Sequence, residues 1–168
     1  KLLNDLFGIQ SRAGCSCAGP YGHYLLGIDD DQSATFRNLV AEGYCGIKPG
    51  WVRVNLHYTF EKRDIDFLLR AISFVAEHGE LFLKQYRLDM ESAEWKHVAA
   101  KDPESNVSLN EDFDAPKIDL NTLNDLRALY FNEAEQQAQK LKASPDPSFH
   151  ADDDAIEAVK FYYDIRDT

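Results

Sequence analysis

Eight of the nine glycines in this 168-residue chain fall within its first 50 residues, and only Gly79 comes later. Glycine punctuates turns and interrupts helices, so its distribution divides the chain in two. The first third is assigned to turns, caps and close backbone approaches. The remainder is free to run as long helices. All three cysteines (Cys15, Cys17 and Cys45) lie in that same first third, so the turns and the reactive side chains occupy the same stretch. The length suits one domain with a core large enough to need neither disulfides nor a metal.

Periodicity fills in the rest. Leu2, Leu3, Leu6 and Phe7 predict a short amphipathic helix stopped by Gly8, and residues 9–12 read as a short strand. Residues 21–28 suggest a helical turn. Asp29, Asp30 and Asp31 suit the N-terminus of a helix over 32–42, with Phe36, Leu39 and Val40 inward and Gly43 at its end. After the turn at 46–50, residues 51–58 alternate as a strand, with Val52, Val54 and Leu56 on one face and Arg53, Asn55 and His57 on the other. Ile65, Leu68, Leu69, Ile72, Val75 and Ala76 form a helical stripe read as core, with Thr59 as expected N-cap and His78-Gly79 as the end. Residues 86–90 and 94–98 predict a hairpin turning at Glu91-Ser92-Ala93. A long helix is expected over 119–142, and the tail around 158–165 has enough aromatic content to dock.

These elements imply an α/β fold of the α+β-like small-domain kind. It is a short, mostly antiparallel sheet with helices packed on one face, plus an added long C-terminal helix. The expected division is a small domain over 1–100, an acidic linker over 101–118 and a helical extension over 119–168 packed on the same domain. The linker assignment rests on Pro103, Pro116 and the carboxylates of Asp102, Glu104, Glu111, Asp112 and Asp114.

The formal net charge of -11 argues against nucleic acid or an anionic membrane as partner. No apolar run approaches the ~18 residues of a membrane span. Three cysteines without a basic-then-apolar leader favour a reducing, cytoplasmic setting with free thiols. The start at Lys1, inside an expected helix, suggests a fragment or processed product.

The densest chemistry lies in residues 12–20, which carry an arginine, two thiols, two glycines and a proline. Cys17 is the sharpest candidate, a thiolate whose pKa a guanidinium such as Arg12 would lower. The alternative is a buried cysteine acting as a small hydrophobe. Cys15 and Cys17 lack the second pair or spaced histidines of a zinc site, so no metal is expected. Arg12 and Arg53 are candidate anion clamps, because a planar guanidinium takes a carboxylate bidentately; surface ion pairing is the competing role. His23 and His57 could serve as acid or base, or simply as hydrogen-bonded structural residues.

Residues 12–20 (Arg-Ala-Gly-Cys-Ser-Cys-Ala-Gly-Pro), Val52-Arg53-Val54-Asn55-Leu56 and Ile65-Asp66-Phe67-Leu68 together resemble the C-terminal part of class V aminotransferases. The resemblance covers about residues 1–80 and is nearest the cysteine desulfurase and selenocysteine lyase branch. It implies a fold-type I enzyme using pyridoxal phosphate and acting on an amino acid. Cys17 would be the thiol that takes sulfur from the substrate, Arg53 would bind the substrate carboxylate, and Arg12 would assist. Cys15 and Ser16 stand where the family often has histidines, so both sulfur transfer and amino-group transfer stay open. The family's Schiff-base lysine belongs to a large N-terminal domain that nothing here resembles. The isolated chain is therefore expected to be inactive, with that domain and a second copy as candidate partners. The competing reading is a non-catalytic thiol, redox or protein-interaction module that retains the domain.

Overall fold

The computed structural model describes residues 1–14, 18–100, 118–145 and 154–160. The architecture is α+β, with helices predominating over two small antiparallel ribbons. Helix α1 (Leu2–Phe7) opens the chain. It ends at Gly8, in the left-handed conformation at φ 66°, where the Gly8 N–H donates to the Asn4 carbonyl and the Ile9 N–H to that of Leu3. This left-handed C-cap engages Ile9, so the strand expected over 9–12 forms later, as β1 (Arg12–Gly14). Helix α2 (Gly19–Leu26) is a full eight-residue helix where a turn was expected. Its second residue is Pro20, whose fixed φ suits a helix start.

Helix α3 (Asp30–Ala41) begins as its acidic run suggests. The Asp29 carboxylate accepts from the Gln32 N–H at 2.8 Å, and the Gln32 side-chain oxygen accepts from the Asp29 N–H at 3.3 Å, a reciprocal capping box. Strand β2 (Trp51–Arg53) is far shorter than the expected run over 51–58. Val52 is 59% exposed and Leu56 64%, and only Val54 of that face reaches the core. A strand extends only as far as its partner, and β1 offers three residues.

Helix α4 (Lys62–Phe82) starts later and runs further than its sequence punctuation suggests. Glu61, not Thr59, is the N-cap, in a capping box with Asp64. The helix passes through Gly79 because Phe82, 1% exposed, is anchored in the core, and burying a phenylalanine outweighs the ~1 kcal/mol cost of a helical glycine. A Cβ on Gly79 would make only ordinary contacts with Val75 Cγ1 at 3.5 Å and Leu2 Cδ1 at 3.6 Å, so packing does not demand a glycine there. Of the stripe read as core only Leu68 is buried; Leu69, Ile72 and Ala76 face solvent, and the buried face instead includes Ala71 and Phe74, which the stripe left out.

The hairpin is where it was expected, as β3 (Tyr86–Asp89) and β4 (Glu94–His97), with Asp89 accepting from the Glu91 and Ser92 N–H groups. Helix α5 (Leu120–Ala143) is capped by Asp119, which accepts from the Asn121 and Thr122 N–H groups. Helix α6 (Asp154–Glu157) is short. The single sheet expected from the sequence is two separate ribbons, β1–β2 and β3–β4, and no pairing joins them among the described residues.

One core unites α1, α4 and α5. Phe7 lies at its centre, 5.5 Å from the Phe74 ring and 4.8 Å from that of Phe131, with Ala134, Ala138 and Leu141 completing the α5 side. A smaller core holds Phe36 and Leu39 of α3, the fully buried Ile47, and Ile156 and Val159 near the C-terminal end. Tail residues 161–165 and the linker over 101–117 lie outside the described residues. No helix among the described residues is long and apolar enough to cross a membrane.

Candidate functional site

The β1–β2 ribbon is three residue pairs long: Arg12 opposite Arg53, Ala13 opposite Val52 and Gly14 opposite Trp51. The two arginines singled out from the sequence, 41 positions apart, are thus cross-strand partners. Directly opposed residues on antiparallel strands leave the same face with Cβ atoms about 5 Å apart, and like charges there repel. Both side chains are exposed. Among the described residues neither guanidinium has an ion-pair or hydrogen-bond partner, in a chain with 29 acidic residues.

Gly50 is what lets the ribbon close. A Cβ built there would lie 2.6 Å from the Gly14 carbonyl carbon and 2.7 Å from its Cα, closer than carbon atoms tolerate. The entry to β2 is therefore pinned against the end of β1, at the doorstep of the cysteine loop. Cys15 and Cys17 themselves lie outside the described residues. Cys45 is a free, half-buried thiol in the short 3-10 turn over 45–47, where its neighbour Ile47 joins the smaller core.

Arg12 and Arg53 open onto a cleft of about 1380 Å³, walled by residues from α1, β1, β2, the start of α4, the hairpin turn and α5. Its polar lining includes Asn4, Gln10 and Asn55. Another part of the wall is an ion pair that the sequence reading missed. Arg127 of α5 donates to the Asp64 carboxylate at 2.7 Å while its guanidinium lies 4.7 Å from the Phe67 ring centroid. The hydrogen bond from Arg127, joined by the Glu61 N–H, holds the Asp64 carboxyl below the usual carboxylate range. Asp64 is legible as a helix-start residue, three positions after Glu61. Arg127, 63 positions on, carries no local signal that it faces this cleft.

Lys1 also lines the cleft, with its Nζ 3.1 Å from Asp5. Asp5 in turn accepts the Tyr86 hydroxyl at 2.8 Å. Burial pushes the Asp5 carboxyl up, but the hydrogen bonds from Asn4, Tyr86 and Lys1 leave it lowered overall. Burial and the bond to Asp5 raise the Tyr86 phenol well above its ordinary value.

The histidines take other positions. His23 Nδ1 is hydrogen-bonded to Ser33 Oγ at 3.0 Å, tying α2 to α3, and its ring lies 6.3 Å from that of Phe36. His57 is exposed, bonded to Thr59 Oγ1 at 2.8 Å and stacked on Tyr58 at 4.3 Å, and it does not line the cleft. Among the described residues no group of histidine, cysteine, aspartate and glutamate could hold a metal ion. Nor do the cleft residues fit pyridoxal phosphate as a covalently held cofactor. Among the described residues the one lysine on the wall is Lys1, already paired with Asp5, and the one carboxylate is Asp64, already paired with Arg127. What the arrangement offers is anion binding by two arginines.

Comparison of the chain with protein-family profiles, with characterised proteins and with solved structures finds no match.

Proposed function

We propose that this chain is the C-terminal, substrate-gripping part of a pyridoxal-phosphate enzyme of the class V aminotransferase type, with an amino acid as substrate. The observation that carries the reading is the pairing of Arg12 with Arg53 across the ribbon, both facing a cleft and neither neutralised by a described acidic side chain. Opposed guanidiniums without acids disfavour folding slightly and favour an incoming carboxylate strongly. Arg53 takes the substrate carboxylate bidentately, and Arg12 stands across the ladder to share the charge and orient the molecule. By the resemblance of residues 12–20 to the family loop, Cys17, five residues beyond Arg12, is the thiol that takes the substrate's sulfur. The cofactor belongs to the large domain that the resemblance implies, and the cleft residues supply substrate binding only.

The test uses the natural full-length gene product. A visible absorption band that borohydride abolishes is expected. Arg53→Gln is expected to raise KM for the amino acid while leaving that band in place. A colourless product that stays colourless when given pyridoxal phosphate would overturn the enzyme reading. In that event the second reading, a thiol or protein-interaction module, draws on α2. This helix follows the cysteine loop directly and exposes Tyr21, Tyr24, Leu25 and Leu26.

A further inference from the structure

Among the described residues, the charged ones on the cleft wall are Lys1, Arg12, Arg53, Arg127 and Asp64. Two of the four cations are already answered: Lys1 by Asp5 at 3.1 Å and Arg127 by Asp64 at 2.7 Å. Asp64 is held ionised by that contact and is spent on it. Among the described residues two positive charges remain uncompensated, Arg12 and Arg53, set opposite each other by the ladder register. A single carboxylate bound between them would leave one positive charge unbalanced in a concave site, where low-dielectric walls strengthen the field.

We infer that the cleft is built for a ligand bearing two negative charges, and specifically for a short dicarboxylate, with one carboxylate on each guanidinium. Geometry favours two planar groups over one tetrahedral one. Each guanidinium presents its own fork, and a planar carboxylate satisfies a fork with two parallel hydrogen bonds. The two forks start from Cβ atoms about 5 Å apart and can diverge along their flexible stems, which suits carboxylates separated by two or three carbons. As a statement about a substrate this rests on the proposed enzyme reading and narrows it to acidic amino acids. As a statement about the cleft it stands apart, because the binding is read without any cofactor.

The 168-residue chain carries two tryptophans, both well placed to report. Trp51 is in β2, opposite Gly14, and Trp95 lines the cleft. The experiment titrates the chain with acetate, succinate, glutarate and inorganic phosphate at one fixed ionic strength, following tryptophan fluorescence. Succinate or glutarate is expected to bind roughly tenfold or more tightly than acetate, since it engages two charge-assisted contacts instead of one. Arg12→Gln and Arg53→Gln are each expected to bring the dicarboxylates down to the acetate level. Without any anion, each variant should melt at or slightly above the wild-type temperature, because a cross-strand repulsion has been removed. Equal affinity for acetate and succinate in the wild type would overturn the inference, as would a dicarboxylate preference that survives in the double variant. Phosphate outranking both dicarboxylates would overturn the dicarboxylate assignment and leave a phosphate monoester as the two-charge ligand. None of these outcomes depends on whether the full-length protein binds pyridoxal phosphate.

Discussion

Around Phe7, charged groups at the edge of the core are answered by neighbours. Arg70 lies 3.8 Å over the Phe131 ring and reaches Glu135 at 3.3 Å. Lys84 donates to the Leu141 and Ser144 carbonyls at 2.9 and 3.0 Å, closing the C-terminal end of α5 where a cation suits the helix dipole. In the β1–β2 ribbon the opposite holds. Three residue pairs make the whole ladder, Val52 is solvent-exposed, and two arginines oppose each other without a described acid. The helical core is arranged for stability, whereas the ribbon tolerates repulsion at the position a ligand would neutralise. That difference sets residues placed by packing apart from a charged pair that packing does not explain.

The sharpest way to break the comparison is to strike the core. Phe131→Ala removes a ring that touches Phe7 and Phe67 and carries Arg70, and it should cost about 3–5 kcal/mol in chemical denaturation. Anion binding should persist at temperatures where the variant is still folded. A variant that loses anion binding while folded would show that core and ribbon are not separable.

Gly50→Ala strikes the ribbon instead. Its methyl would sit inside the Gly14 backbone, so the strands must part, at a cost of about 1–3 kcal/mol. Here the loss of anion response, read by Trp51 fluorescence, should exceed what the drop in stability explains. Retention of full anion affinity would show that the close approach of Gly50 to Gly14 does not set the arginine pair.

The smallest effect is expected at the cleft wall. Asp64→Asn should lower stability at neutral pH by less than about 1 kcal/mol, in keeping with a partly exposed ion pair. The Asp64 carboxyl is held below its ordinary value of 3.8, so its contribution is complete above that pH and disappears as pH falls through the lower folded value. Wild type and variant should therefore converge in acid, as seen in melting curves taken from pH 7 downward. A gap that stays constant to pH 2 would mean that the pair is not what stabilises this wall.

Several features were legible because they are local. Gly8 ends α1, Asp29 caps α3, and the hairpin turns through Glu91-Ser92-Ala93, each being written within a few consecutive residues. The candidate arginines could be picked out by residue type and strand position. What could not be read was their partnership, since nothing near Arg12 specifies a contact 41 positions away. The α4 stripe misled for a related reason. A helical apolar pattern shows which residues share a face but not which part of it another element covers: Leu69 and Ile72 of the stripe stay in solvent, while Phe74, outside it, meets Phe7.

By itself, then, the sequence determined the α+β class, the Gly8 and Asp29 caps, the hairpin and the identity of the two arginines. These follow from backbone preference, turn chemistry and side-chain type, all of which act over a few residues. The tertiary structure alone decided that the expected sheet is two ribbons, that α4 runs through Gly79, and that Arg127 reaches Asp64 across 63 positions. It alone placed Arg12 opposite Arg53. Strand register and helix packing depend on which distant surfaces meet, and that is settled by the burial of Phe7, Phe82 and Phe131 together and by the close approach that only a glycine at position 50 permits.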